Sequence, residues 1–497
     1  MVETLEEVDR STPVTRAGLV IVIVVIGVLM AAIDTTIVVL ALPSMEHTLH
    51  IALSSVIWVL VGYLLVITVT ATQVGRLGDM FGRVRMYEAG FLVFVIGSAL
   101  CAIATNGATI IAFRVIQGLG GAFIAANSGA VLADNIPPER RGRAYGFNAV
   151  GWNVGAILGI LIGGVIITYV SWRWIFWINV PTGMIALGLA IPFLHDRAPR
   201  HRQRIDWPGM VTLGFGLFLI LWAIVKLSTE SLSGEIAGAL AVGIVSLIAF
   251  AIIEHLVREP MVALSMFRIR TKPSALVAAL FQAIGTFAVF FLVIMYLQGV
   301  RGLTPLHASL LLVPGYLIGA AFAPYGGRLA DRIGPLWPAT VGLLIQVGAL
   351  AMYAQLGLHS AYALIIIASA VNGVGGAGFY PSNTTAVMAI SPANAFGTAS
   401  GLLRTFSNVG MVFSFAVAVL VAARSISKKK AFEIFVGTTS LPRHLSETFN
   451  TGLHSSFYAS MSFIVVAMVF SSTRLFYRRR RNQALTVDIS EVAAPTS

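Results

Sequence analysis

The chain has 497 residues, 57% hydrophobic and 11% charged, with a mean hydropathy of +0.87. A soluble protein of this length cannot cover its surface with so few polar groups, so the composition excludes a soluble enzyme or nucleic-acid-binding protein and makes the bilayer its solvent. A net charge of +12 then has to be explained by where the basic residues fall, and the single cysteine, Cys101, excludes a disulfide within the chain.

Uninterrupted apolar runs of about 20 residues occur fourteen times, over 17–43, 54–74, 86–105, 109–133, 144–169, 174–194, 208–226, 235–256, 274–298, 304–325, 336–357, 361–390, 397–423 and 456–477. Backbone groups in hydrocarbon must be satisfied within the segment, which predicts helices. The alternating ten-residue pattern of a membrane barrel is absent. The first run follows an acidic stretch (Glu3, Glu6, Glu7, Asp9), is too long for a signal peptide and has no small-residue cleavage site, so it reads as the first span.

With the N-terminus placed in the cytoplasm, the inner loops and tails carry 23 of the 33 Lys and Arg residues. That bias predicts both termini inside, with the basic loops meeting anionic lipid head groups. Arg478, Arg479, Arg480 and Arg481 close the last span on the same side. An outer loop over 424–455 is the exception, and its KKKAFEIF stretch reads as a solvated loop or a surface helix.

The chain repeats itself. GRLGDMFGR at 75–83 recurs as GRLADRIGP at 327–335, QGLGGA at 117–122 as NGVGGA at 372–377, and Gly142, Ala144 and Gly146 as Gly397, Ala399 and Gly401. A period near 254 exceeds the length of six spans, so the seventh and eighth are an insert. The expected plan is all-α and integral to the membrane. A tail over 1–16 precedes a six-helix bundle over 17–195, and a basic linker with a two-helix insert covers 196–273. A second six-helix bundle spans 274–477, and a tail covers 478–497. Repeats of this kind place a substrate site near the midplane and work by rocking.

Between spans two and three, Gly75, Asp79, Gly82 and Arg83 read as a tight turn whose acid and arginine engage each other and a neighbouring helix end. The segment resembles the cytoplasmic signature of the major facilitator superfamily, G-x-L-x-D-x-x-G-R, repeated more weakly at Gly327 and Asp331, where Pro335 replaces the arginine. AAIDTTIVVLALP at 31–43, IIAFRVIQGLGGA at 110–122 and WRWIFWINVPTG at 172–183 are similar to the fourteen-span drug:proton antiporter branch. The resemblance implies that the loop acid caps a helix of the opposite half and that Asp134, ending span four, joins this latch. The chain departs from the branch at Val39, usually asparagine, and at Ile160, usually proline within the span-five signature. Gly155, Gly159, Gly163 and Gly164 of that signature remain and permit close helix approach.

Charges at the bilayer centre cost about 2.5–3.5 kcal/mol or more and are usually functional. Only Asp34, Arg114 and Arg404 lie well within spans. Asp34 and Arg114 fall at similar depth with opposite signs. They read either as a proton-coupling pair that closes and opens or as a permanent structural ion pair. Arg404 faces a cavity or snorkels. Asn127, Trp152, Asn153, Phe379 and Asn383 are the further cavity candidates. Gly373–Gly378 lacks the lysine of a phosphate-binding loop and reads as helix packing, and no hydrolytic or metal motif occurs.

The reading is a proton-coupled exporter of small amphipathic compounds, including drugs, in the plasma or inner membrane. It is expected to be a monomer, with no cofactor beyond the proton gradient and no catalytic or metal site. A lipid or glycolipid exporter of the same fold is the alternative, and a non-transporting receptor or scaffold a remote one.

Overall fold

The structure, a computed structural model, describes residues 14–51, 53–136, 138–196, 204–257, 260, 271–389, 396–422 and 450–473. The arginines at 478–481, the C-terminal tail and the KKKAFEIF stretch lie outside the described residues. Among those described there are helices and no strands.

In chain order the helices are α1 Val14–Leu49, α2 Leu53–Phe81, α3 Arg83–Ala102, α4 Gly107–Asn135, α5 Pro138–Tyr169, α6 Trp174–Trp177 and α7 Asn179–Phe193. They continue with α8 Trp207–Thr229, α9 Gly234–Leu256, α10 Thr271–Met295, α11 Pro305–Ile333, α12 Leu336–Tyr353, α13 Tyr362–Ala389 and α14 Phe396–Ala422. A last helix, α15, covers Asn450–Thr473. A π turn at Tyr296–Val300 ends α10. Thirteen segments are long and apolar enough to cross a bilayer, with α6 and α7 forming one, Trp174–Phe193. The fourteenth predicted span is α14, whose apolar stretch is shorter, Leu403–Ala418.

Polar caps mark the helix starts. Asn106 accepts from the Thr109 amide in a reciprocal capping box at α4, and Asp206 accepts from the Gly209 amide at α8. Helix α1 runs through Pro43 to Leu49, beyond the predicted end at 43, since one proline removes a single backbone hydrogen bond.

The expected loop at 75–83 is a correction. Residues 75–81 are the last turns of α2, and the connection to α3 is the single residue Gly82, with φ 114°. The repeat behaves alike, with α11 running to Ile333 and Gly334 at φ 88°. Both glycines lie in the left-handed region that side chains rarely adopt.

The molecule divides into two units. Among the described residues, the first holds those up to 260 with 297–310, and the second holds 271–296, 311–422 and 450–473. The two-helix insert therefore falls with the first bundle. Helix α8 packs on α2, where Trp58 and Phe218 have ring centroids 5.3 Å apart and Gly214 faces Val69. Ser246 of α9 donates to the Thr212 carbonyl of α8 at 2.8 Å.

Within the first unit α1 packs on α5, and α4 on both α2 and α3. Gly155 of α5 lies on Leu29 and Ala32, Gly159 on Ile33 and Gly163 on Ile37 and Leu40, so a glycine every four residues forms the groove that α1 occupies. Gly164, on the adjoining face, meets Leu306 and Ser309 at the start of α11.

The second unit reuses these registers. Gly410 of α14 lies on Leu280 and Ala283 of α10 as Gly155 lies on Leu29 and Ala32. Gly375 of α13 lies on Gly342 and Gln346 of α12 as Gly120 of α4 lies on Gly90 and Phe94 of α3. The glycines of 373–378 approach α11 and α12, which is helix packing.

Candidate functional site: a sealed ion pair and a helix-end clasp

Asp34 comes from the middle of α1 and Arg114 from α4. Their side chains meet, Arg114 Nη1 to Asp34 Oδ2, at 2.6 Å, with both side chains fully buried. Two bare charges in so dry a place would be costly, and the neighbours offset that cost with hydrogen bonds. Arg114 Nε donates to the Val59 carbonyl of α2 at 2.8 Å and Nη1 also to Gln117 Oε1 at 2.7 Å. Gln117 Nε2 returns a bond to Asp34 Oδ1 at 2.9 Å and a second to Ser98 Oγ at 3.2 Å. Asn179 of α7 donates to Ser98 Oγ at 3.2 Å and, more weakly, to Asp34 Oδ1 at 3.4 Å. Ser98 Oγ donates to the Phe176 carbonyl at 2.9 Å.

The guanidinium carbon sits 4.1 Å from the Tyr63 ring centroid and 5.7 Å from that of Phe176. These rings face the cation, while Arg114 Nη2 has no hydrogen-bond acceptor among the described residues. Five spans thus converge on one carboxylate–guanidinium pair.

Sequence reasoning found the pair and missed Tyr63, Ser98, Gln117 and Asn179. The signal existed for two of them, because Gln117 opens QGLGGA and Asn179 lies in WRWIFWINVPTG.

At the end of the bundle formed by the Gly82 turn, Arg83 bonds Asp79 at 2.8 Å and Asp134 at 2.8 Å. Asp79, Arg83 and Asp134, three of the seven residues expected to form the latch, are therefore brought together across α2, α3 and α4. Asp196, unforeseen, accepts from the Val84 amide at 2.7 Å at the N-terminus of α3, where a negative charge is favoured. A side chain at Gly82 would strike that carboxylate. Arg76 donates to the carbonyls of Arg204 at 3.0 Å and Pro260 at 2.6 Å, at either end of the insert. In the second unit Gly327 lies beside Pro381, Asp331 is exposed, and among the described residues no ion pair involves Asp331.

The cavity candidates separate. Trp152 is 42% exposed and Arg404 is exposed. Asn127 is buried under Gly78 and bonds the Phe123 carbonyl, Phe379 packs edge-on to Tyr380, and Asn383 donates to the Ala275 carbonyl at 3.1 Å. Helix packing occupies these three. The Asn153 side chain lies outside the described residues.

A repeated helical fold with a sealed ion pair inside its spans defines a polytopic membrane protein. Residues 24–415 match the family described as the Major Facilitator Superfamily. The chain belongs to that family.

It is 30% identical over 489 residues, 92% of this chain and 90% of the relative, to a tetracenomycin C resistance and export protein of Streptomyces glaucescens. It is 33% identical over 308 residues, 60% of each chain, to multidrug resistance protein 3 of Bacillus subtilis. In fold it resembles a bacterial homologue of the human lysosomal transporter Spinster in an inward-facing, unoccupied conformation. That likeness has a TM-score of 0.66 and 17% identity, covering 93% of this chain and 97% of the other. A D-xylose–proton symporter gives a TM-score of 0.62 at 16% identity, over 91% and 96% of the two chains.

Proposed function

We propose that the protein is a proton-coupled exporter of small amphipathic organic compounds, set in the cell membrane with both termini cytoplasmic. The observation that carries this reading is the ion pair of Asp34 with Arg114, fully buried on helices that would have to move during transport. A carboxylate held by a guanidinium has no need of a proton. Once the pair separates in a dry site, protonation removes the uncompensated charge, so opening and closing the pair would take up and release one proton.

One proton crossing 100 mV supplies ~2.3 kcal/mol, enough to hold about a fortyfold gradient of an uncharged substrate. The named export and multidrug resistance proteins among the relatives support the direction and the substrate class. The clasp of Arg83 with Asp79 and Asp134 suits a device that steadies one conformational state.

The test is flux in proteoliposomes under an imposed pH gradient, with ethidium and a neutral dye as probes. Wild type should accumulate a probe against its gradient, and Asp34→Asn should not. Uphill accumulation by Asp34→Asn would make the pair structural and end the proposal.

A further inference from the structure

The two carboxylate oxygens of Asp34 have different partners. Oδ1 faces N–H groups, from Gln117 at 2.9 Å and, more weakly, from Asn179 at 3.4 Å. Oδ2 faces Arg114 Nη1 at 2.6 Å. Neighbours fix which way the Gln117 amide points. Ser98 Oγ donates its one hydrogen to the Phe176 carbonyl at 2.9 Å, so it can only accept from Gln117 Nε2 and Asn179 Nδ2, each at 3.2 Å. Turned over, the Gln117 amide would set its oxygen against Asp34 Oδ1 and its nitrogen against the guanidinium. Its nitrogen therefore lies beside Oδ1 and its oxygen beside Arg114.

Arg114 Nη1 is where the three side chains meet. It donates both to Asp34 Oδ2 and to Gln117 Oε1, at 2.7 Å, so these two oxygens stand on either side of one nitrogen. With the 2.9 Å bond from Gln117 to Oδ1, the three groups form a closed ring. Withdraw Nη1 and add a proton to Oδ2, and the ring can close without the arginine. Oδ2–H then donates to Gln117 Oε1, while Gln117 Nε2 goes on donating to Oδ1. An ionised carboxylate has no hydrogen to offer Oε1, so this second bond belongs to the neutral acid alone.

The arginine can leave without parting the helices. Arg114 and Gln117 are three residues apart on one face of α4, so the ring keeps α1 against α4 while the guanidinium swings aside. The cation retains partners on α2 that do not involve Asp34, the Val59 carbonyl at 2.8 Å from Nε and the Tyr63 ring at 4.1 Å. Tyr63 and Cys101 of α3, whose Sγ lies 3.7 Å from Gln117 Oε1, are a phenol and a thiol, uncharged near neutrality. The span of α6 and α7 brings Phe176 and Asn179, and α5 meets α1 here through Gly155 and Gly159. Arg114 is thus the charge that competes with the proton.

We infer that Gln117 is the positioning residue of the proton site: it directs the proton to Asp34 Oδ2 and holds the neutral acid in a two-bond ring that replaces the ion pair. The inference rests on the proton-coupling reading and assigns what holds the opened state. The proton comes from water and returns to it. Only the Oδ2–H bond forms and breaks, and Arg114 stays protonated throughout.

Infrared difference spectroscopy of the purified full-length protein in lipid bilayers tests the ring, because the C=O stretch of a carboxylic acid falls in frequency as the acid gains hydrogen bonds. Arg114→Met opens the pair and leaves a side chain of similar length. Its spectrum should contain a carboxylic-acid band, at the low frequency of a hydrogen-bonded acid, that disappears when Asp34→Asn is added. Adding Gln117→Leu to Arg114→Met instead should move the band to higher frequency, toward that of a free acid. A merely structural Gln117 would change the melting temperature and leave the band in place. Gel filtration and melting temperature report folding. Gln117→Asn, one methylene too short to close the ring, takes the place of Gln117→Leu if the latter fails to fold.

An Asp34 band at one frequency with and without the Gln117 amide overturns the inference. So does an Arg114→Met spectrum with no Asp34 acid band down to the lowest pH at which the protein stays folded. Loss of uphill flux in Asp34→Asn alongside either result would leave the proton-coupling reading standing and remove the ring alone. A shifted band alongside full uphill flux in Asp34→Asn would support the ring and end the coupling reading.

Discussion

Gln117 donates to Asp34 at 2.9 Å and accepts from Arg114 at 2.7 Å, so one neutral amide touches both members of the buried ion pair. Replacing it by Leu keeps the volume and removes both bonds. An unsatisfied buried carboxylate oxygen and guanidinium nitrogen each cost about 1–3 kcal/mol. Gln117→Leu is therefore expected to lower the melting temperature of the purified protein, and Gln117→Glu to keep the bond from Arg114 but lose the one to Asp34, because two carboxylates would then face each other. Scanning fluorimetry of the two variants against wild type checks this, and a Leu variant as stable as wild type contradicts the bridge.

The pair itself predicts non-additivity. Asp34→Asn or Arg114→Gln alone leaves one buried charge without its partner, which costs on the order of 3–5 kcal/mol. Removing both leaves two neutral amides that can bond each other. The double variant should be more stable than Arg114→Gln, though inactive in uphill transport. Melting temperatures of the four proteins form the cycle, and simple addition of the two losses would show that the residues do not share one interaction.

The α1–α5 groove predicts a strong contrast between two glycines. A Cβ at Gly159 would come 2.8 Å from the Ile33 carbonyl, which is backbone and cannot yield, whereas Gly188 on α7 has nothing within 4 Å. Gly159→Leu should abolish accumulation of folded protein, and Gly188→Leu should be tolerated. Fluorescence-detected gel filtration of membrane extracts reads both, and equal yields would mean that α1 and α5 are not so closely apposed.

Arg76 offers the fourth prediction. It holds the carbonyls of Arg204 and Pro260, so a single side chain closes both ends of the two-helix insert onto α2. Arg76→Met should speed hydrogen exchange at the start of α8 and the end of α9 while exchange in α3 and α4 stays as in wild type. A uniform increase across the first unit would instead place Arg76 among residues that hold the whole bundle.

The spans were legible because a lipid-exposed backbone admits only long apolar helices, which leave a plain mark on the sequence. Charges inside those spans were equally plain, so Asp34 and Arg114 stood out. Ser98, Gln117 and Asn179 did not, since neutral polar residues are cheap enough in a helix to be common and their partners on other helices lie 19 to 145 positions away. Helix ends were read short at Pro43 and at Gly75. A proline and two charged residues look like punctuation, yet at the edge of a bilayer water and neighbouring side chains satisfy the backbone and the helix continues. The sealed state of Asn127, Phe379 and Asn383 depends on which face each helix turns inward, and uniformly apolar spans carry no periodicity that says so.

The spacing of the paired glycines also records which connections have changed length since the two halves were one ancestral unit. Gly82 and Gly334 stand 252 residues apart, as do Gly90 and Gly342, so the stretch through the one-residue turn has neither gained nor lost a position. Gly120 and Gly375 stand 255 apart, and the extra residues fall in the link between α12 and α13, which spans 354–361 where that between α3 and α4 spans only 103–106. An added residue in that longer link swings freely. At Gly82 it would rotate α3 by about 100° against α2 and carry Arg83 away from both acids. Homologues of this chain should therefore vary in length at the α12–α13 link and hardly at all at the Gly82 turn.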